Sequence, residues 1–396
     1  MNKETTINEL KKVELHREFD SFEEALDFFA VLEAEDIWLD RKLRNFSLSV
    51  TNPFSEVSLF EATKEQTENA KNSYSYILST GFEPSPNEKE VYILNPDALF
   101  SVKQRAGLSG KLLTDLENSG DVLKRKSLAE IINMAWEHHP RTKCKVLLRS
   151  GQILSVHGAG YAPLPQVEIF KEVQSFLMFT FPEAKFKSGY YSHNMTELLF
   201  SLSDYKDNMM TAYVEAWEKA GMDTSELEGC MPALKFMTSD TAEYCFTICP
   251  MFIMGNQVFS IGEPLKLKHQ GNADMEAVKN KLAMVFNKLT EGVNSLSALF
   301  EIEINYPVPT FIRLADEIGL LKSAKTATKA ALDFFTIFGV PETINAFALY
   351  NALYVILTVD EYEKLSASGK LKVTENLSRL LSLDFKKFDR PGRTTI

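Results

Sequence analysis

Apolar positions along this chain alternate between two periods, and the switch from one to the other marks its elements. Over residues 21–35, SFEEALDFFAVLEAE, Phe22, Leu26, Phe29 and Ala30 or Leu32 share a face. Ser21 stands at the N-cap and acids fill the first turn, so the segment predicts a helix. Residues 46–50 alternate as a strand, Asn52-Pro53 turns the chain, and residues 57–60 return as a second strand before a polar helix from Thr63. The Pro/Glu-rich stretch 81–90 is the first candidate boundary. A short strand at 91–94 follows, then a helix opened by Asn95-Pro96 and further helices at 110–118 and 127–136. Residues 145–148 and 153–156 read as strands joined by Ser150-Gly151, a two-residue hairpin signal. Tyr161-Ala-Pro-Leu-Pro then leads into a helix at 166–178.

Residues 184–203 read as strands, and 209–220 as a helix stopped by Gly221. Residues 232–268 read as an antiparallel meander. Asp274 caps a long helix to about residue 301, and the rest is helical at 310–319, 322–338, 342–358, 360–367 and 374–383, with a disordered tail, DRPGRTTI. The expected fold class is α+β, with an acidic N-terminal region (1–90), a core built on an antiparallel sheet (91–305) and a helical C-terminal region (306–396).

Composition narrows the class. The 396 residues are 45% hydrophobic and include 28 Phe and 13 Tyr, too much apolar surface for a disordered chain. Four Cys are too few for a disulfide scaffold. No apolar stretch opens the chain as a signal peptide would. The most apolar run, 346–359, is too short to span a bilayer. A cytoplasmic protein with reduced cysteines and no membrane partner is the expectation. The net charge is −11, unevenly spread: residues 1–100 carry −10 and residues 101–160 carry +5. An anionic partner is therefore expected only at the middle segment.

That segment supplies the candidate chemistry. Lys124, Arg125 and Lys126 precede a helix, and Arg141, Lys143, Lys145 and Arg149 straddle the next strand. Lys143, Lys145, Leu147 and Arg149 share one strand face, with Trp136, His157 and Tyr161 interleaved as stacking groups. Alternating cations beside aromatics suit a single-stranded nucleic-acid backbone. The same cations could instead neutralise the acidic N-terminal region. If the two strand regions pack together, His157 and His269 would join Arg149 and Tyr161 in a pocket. Gly158-Ala-Gly160 begins a dinucleotide fingerprint but lacks its third glycine, and Gly107 to Lys111 is too short for a P-loop. Cys245, Cys249, Cys230 and His269 match no standard zinc spacing, so neither a metal nor a cofactor is implied.

One resemblance adds context. CKVLLRSGQILSVHGAGYAPLP (144–165), LKFMTSDTAEYCFTICPMFI (234–253), Leu267-Lys-His269-Gln-Gly271 and Phe347-Ala-Leu-Tyr350-Asn351-Ala352 follow one another in an order similar to that of an uncharacterised protein family of phages, plasmids and integrated elements. The resemblance spans about 144–360 and transfers no catalytic residue. It implies a phage or mobile-element setting among DNA-metabolism and counter-defence genes. Two readings follow: a non-enzymatic nucleic-acid-binding factor acting on single strands, or a counter-defence protein that binds and inhibits a host protein. An enzyme acting at the His157/His269 pocket is the third.

Overall fold

The computed structural model describes residues 16–51, 75–81, 89–95, 98–119, 121–139, 143–203, 206–227, 229–241, 244–255, 257–271, 273–337, 339–365 and 367–396. The expected strand at 57–60, the helix from Thr63, most of the 81–90 loop and Arg141 lie outside these residues.

The fold is α+β; the described residues form two large sheets, a two-stranded pair and two hydrophobic cores. The larger lobe contains β1 (His16–Phe19) and α1 (Phe22–Glu33), where Ser21 Oγ accepts from Glu24 N at 3.1 Å as the sequence predicts. The chain then crosses to the smaller lobe, whose strands are β2 (Ile37–Lys42), β3 (Phe46–Thr51), β4 (Ser75–Gly81), β5 (Lys89–Leu94), β6 (Lys143–Arg149) and β7 (Gln152–Gly158). They assemble in the order β2-β6-β7-β5-β4-β3, antiparallel except for the β5–β7 pair. Helices α2 (Ala98–Arg105), α3 (Lys111–Glu117) and α4 (Val122–His138) cover one face and close the small core around Leu128, Ile132, Trp136, Val146, Ile153 and Val156. On β3, Asn133 of α4 receives Leu48 N at 2.7 Å and donates to Leu48 O at 2.9 Å, which ties the helix to the strand's backbone.

The hairpin signal is realised. Ser150 and Gly151 have φ of 49° and 75°, the paired positive angles of a type I′ turn that matches strand twist. Strand β7 is central in its sheet, and residues 152–157 are buried. Ile153 and Val156 face the small core, while Gln152, Ser155 and His157 are buried polar residues outside it, toward the other lobe.

The chain returns to the larger lobe through α5 (Gln166–Thr180) and stays there. Strands β8 (Lys185–Ser192), β9 (Thr196–Ser201), β10 (Met231–Thr238), β11 (Phe246–Met254) and β12 (Gln257–Ser260) form an antiparallel meander, with β1 added at its β8 edge and β13 (Leu265–Leu267) paired to β11. Helix α6 (Lys206–Lys219) lies between β9 and β10 in sequence, and the expected long helix after Asp274 is broken into α7 (Met275–Ala283) and α8 (Val285–Ala298). A two-stranded pair, β14 (Glu303–Ile304) and β15 (Ile344–Asn345), pins the C-terminal helices α9 (Pro307–Glu317), α10 (Leu320–Ser323), α11 (Lys325–Ile337), α12 (Ala346–Tyr354), α13 (Asp360–Glu363) and α14 (Ala367–Leu377) to the same large core. No helix among the described residues is long and apolar enough to cross a membrane.

Two expectations change. The cores do not divide the chain at residues 90 and 305. The small lobe is an insertion, roughly residues 37–158, between two segments of the larger one. The tail expected to be disordered is held against α9: Asp389 accepts from Asn305 N and Tyr306 N at 2.9 Å each, and Arg313 donates to the carbonyls of Phe388, Arg390 and Pro391.

Candidate functional site

The strand regions do pack together, and two polar sites lie where they meet. The first is a buried ion network. Arg149, at the end of β6, is 1% exposed. Its Nε and Nη2 donate to the two carboxylate oxygens of Asp36 at 2.6 and 3.0 Å, and its Nη1 donates to Asp240 at 2.8 Å and to the Tyr191 hydroxyl at 3.0 Å. Tyr191 donates to Asp240 at 2.7 Å and faces His193 Nδ1 at 2.8 Å. Gln166 Nε2 donates to the other Asp240 oxygen at 2.5 Å and its Oε1 accepts from Thr196 at 2.7 Å. Burial raises the Asp240 carboxyl, but Arg149 and His193 outweigh it and hold Asp240 below the usual carboxylate range. Arg149 is thus corrected from a nucleic-acid contact to a structural cation. The strand face that carries it is covered by the larger lobe, and two carboxylates from distant elements neutralise it.

Beside this network Glu33, from the end of α1, accepts from the backbone N–H groups of Gln166 and Val167 at the start of α5. Pro165 in the cap position offers no side-chain acceptor, so Glu33 caps the helix from outside. Desolvation nevertheless raises its carboxyl to about 7.

The second site is a cleft of about 970 Å³ lined by Gln104, Arg105, Lys143, His157, the 158–161 loop, Cys245 and residues 268–271. No carboxylate lines it among the described residues, and Arg105, Lys143 and Lys268 have no ion pair there. Arg105 lies so close to Gly158 that a Cβ at that position would meet Nη1 at 2.8 Å, so the glycine makes room for the guanidinium. The innermost wall is a cluster of rings. His157 stacks on Tyr161 at 3.9 Å and 8°, His269 lies parallel to Tyr161 at 5.5 Å, and Trp38 packs on both His157 and Tyr161. Burial pushes His157 down to about 3, helped by His269 and Arg105, and pushes His269 down to about 4. Both imidazoles are neutral at pH 7. Behind the rings is a smaller pocket of about 340 Å³, lined in part by Glu33, Asp36, Glu168 and Asp240.

The expected site residues therefore divide. His157, Tyr161, His269 and Lys143 meet at the cleft. Lys145 is half-buried on the same strand, opposite His157 and Asp40. Tyr161 is corrected as an open stacking platform, because neighbouring rings leave it 9% exposed. Lys124 and Lys126 are exposed and Arg125 half-buried near the start of α4. With a rise of about 1.5 Å per residue they lie roughly 18–21 Å along the helix from its His138 end, and none of them lines the cleft. Arg105, Lys268, Asp36 and Asp240 were not legible as site residues. Lys268 adjoins the flagged His269, whereas Asp240 resembles any turn acid after a strand.

Among the described residues no three His, Cys, Asp or Glu side chains are grouped to hold a metal ion. Cys230 is buried in the large core, Cys245 lines the cleft, and Cys249 lies opposite Lys235 in the sheet with its thiol pushed up to about 11 by burial. Comparison of the chain with protein-family models, curated proteins and solved structures yields no match.

Proposed function

We propose that the protein is a non-enzymatic nucleic-acid-binding factor that holds a phosphate-bearing strand in the cleft between its lobes, in the phage or mobile-element setting that the motif order suggests. One observation supports the reading: three cations without carboxylate partners among the described residues, Arg105, Lys143 and Lys268, line a large cleft that no described acid lines, on a chain whose net charge is −11. An acidic protein that concentrates unpaired cations in one concavity favours anions there and repels them elsewhere. Phosphate contacts made this way release counterions, so affinity falls steeply with salt.

Replacing Arg105, Lys143 and Lys268 together by Glu is expected to weaken binding of a labelled single-stranded oligonucleotide by about a hundredfold or more at low salt. Reversing Lys124 and Lys126, far along α4, is expected to change it about twofold at most. Equal losses from the two variants, or no loss from the first, would overturn the reading.

A protein partner is the second reading, and a different surface favours it. Met178 and Phe179 at the end of α5 are 71% and 92% exposed, and the exposed Phe286 of α8 is brought toward them by its ring contact with Phe181. Such exposed apolar groups mark interaction surfaces. Phe179→Ser with Met178→Ser is expected to abolish capture of a host protein while leaving oligonucleotide binding intact.

A further inference from the structure

Resting on that reading, we infer that the floor of the cleft receives the terminal phosphate monoester of a nucleotide or strand end, not an internal phosphodiester. His157 and His269 are 6% and 5% exposed, both line the cleft, and the buried Nε2 of each has no hydrogen-bond partner among the described residues. A buried polar nitrogen without a partner costs on the order of 1–3 kcal/mol, a cost that a ligand oxygen removes.

The chemistry of these nitrogens is set by their neighbours. The Tyr161 hydroxyl lies 3.4 Å from His269 Nδ1. Burial raises the Tyr161 pKa, so the phenol keeps its proton beside Nδ1. In the tautomer with its proton on Nε2, each ring has an N–H to donate to a ligand oxygen. The Nε of Arg105 is likewise buried without a partner, and Lys143 and Lys268 stand exposed at the rim. Two imidazole nitrogens, one guanidinium and two ammonium groups suit three free oxygens and nearly two negative charges. A phosphodiester offers two free oxygens and one charge.

The shape of the site points the same way. A strand bound through an internal phosphate must leave in two directions. Inward, the rings of Trp38, His157, Tyr161 and His269 bar the path, and beyond them lie Glu33, Asp36, Glu168 and Asp240, which repel a polyanion. Both flanks of an internal phosphate would have to turn back through the mouth, whereas an end enters with a single flank.

The test measures fluorescence anisotropy of one short single-stranded sequence bearing a 5′-phosphate, a 3′-phosphate or hydroxyls at both ends, with a nucleoside 5′-monophosphate as competitor. One phosphorylated form is expected to bind about tenfold or more tighter than the hydroxyl-ended strand. Phe in place of both His157 and His269 is expected to erase that preference and leave salt-dependent binding through the cations. Competition by the mononucleotide at comparable affinity identifies the free nucleotide as ligand, and its failure identifies the strand end; both outcomes support a terminal phosphate. Equal binding of all three strands would overturn this inference and leave the proposed function standing, whereas binding of none would overturn both. The comparison of ends is made on the wild-type protein, so it stands even where a variant fails to fold.

Discussion

Glu33 occupies the position of a helix cap, but for a helix more than a hundred residues away in sequence. Its carboxyl is raised to about 7 from 4.5, first by desolvation and further by Asp240 and Asp36, against the two amides that it accepts. For an acid whose folded pKa is raised, the folded state binds the extra proton between the two values, so stability falls as pH rises through that window. Glu33→Gln keeps an acceptor for the amides and removes the charge. Its stability relative to wild type is therefore expected to climb between pH 4.5 and 7 by an amount on the order of 1–3 kcal/mol and to level off above. Urea denaturation at pH 4.5, 6 and 8 measures this, and a constant difference across the series would refute it. No sequence signal marks Glu33, because its role depends on Pro165 leaving the start of α5 without a side-chain acceptor.

At the scale of elements, Gly292 shows how closely α8 presses on the sheet. A Cβ there would collide with the Ile261 carbonyl oxygen. In an unconstrained helix Gly→Ala adds about 1 kcal/mol of stability. Here Gly292→Ala is expected to cost about 1–3 kcal/mol instead, read as a lower melting temperature; a rise would show that α8 stands clear of that carbonyl. Much of this level was legible in the sequence. The Ser21 and Asp274 caps, the Ser150-Gly151 turn and the 232–268 meander all act through local chemistry. What was missed depends on distant partners. Strand β2, IWLDRK, has no alternation, because it is an edge strand with Ile37 and Asp40 exposed. The break at Met284 carries neither Gly nor Pro. The polar tail looks disordered until Arg313 gathers its carbonyls.

At the scale of the whole molecule, Arg149 is the small lobe's hold on Asp240 of the larger one, with Asp36 at the crossing between them. Arg149→Met would leave the buried Asp240 and the half-buried Asp36 without their cation, a loss of about 3–5 kcal/mol. Denaturation is expected to shift to lower guanidinium and to separate into two transitions, one for each lobe; a single unshifted transition would show that the ion network does not join them. The candidate site was half legible for the same reason. Its histidines and Lys143 stood out by type, but only the meeting of the lobes shows which cations are free and which are spent on Asp36 and Asp240. The insertion of one lobe into the other also has a consequence for the order in which the chain matures. Phe19 of β1 finds its partner Gly189 only after the entire small lobe has been synthesised. A ribosome making this protein thus releases Phe19, Phe22 and Phe29 before the small lobe and must carry them without their later partners while residues 37–158 complete their own core, so helix α1 is a segment that calls for a chaperone.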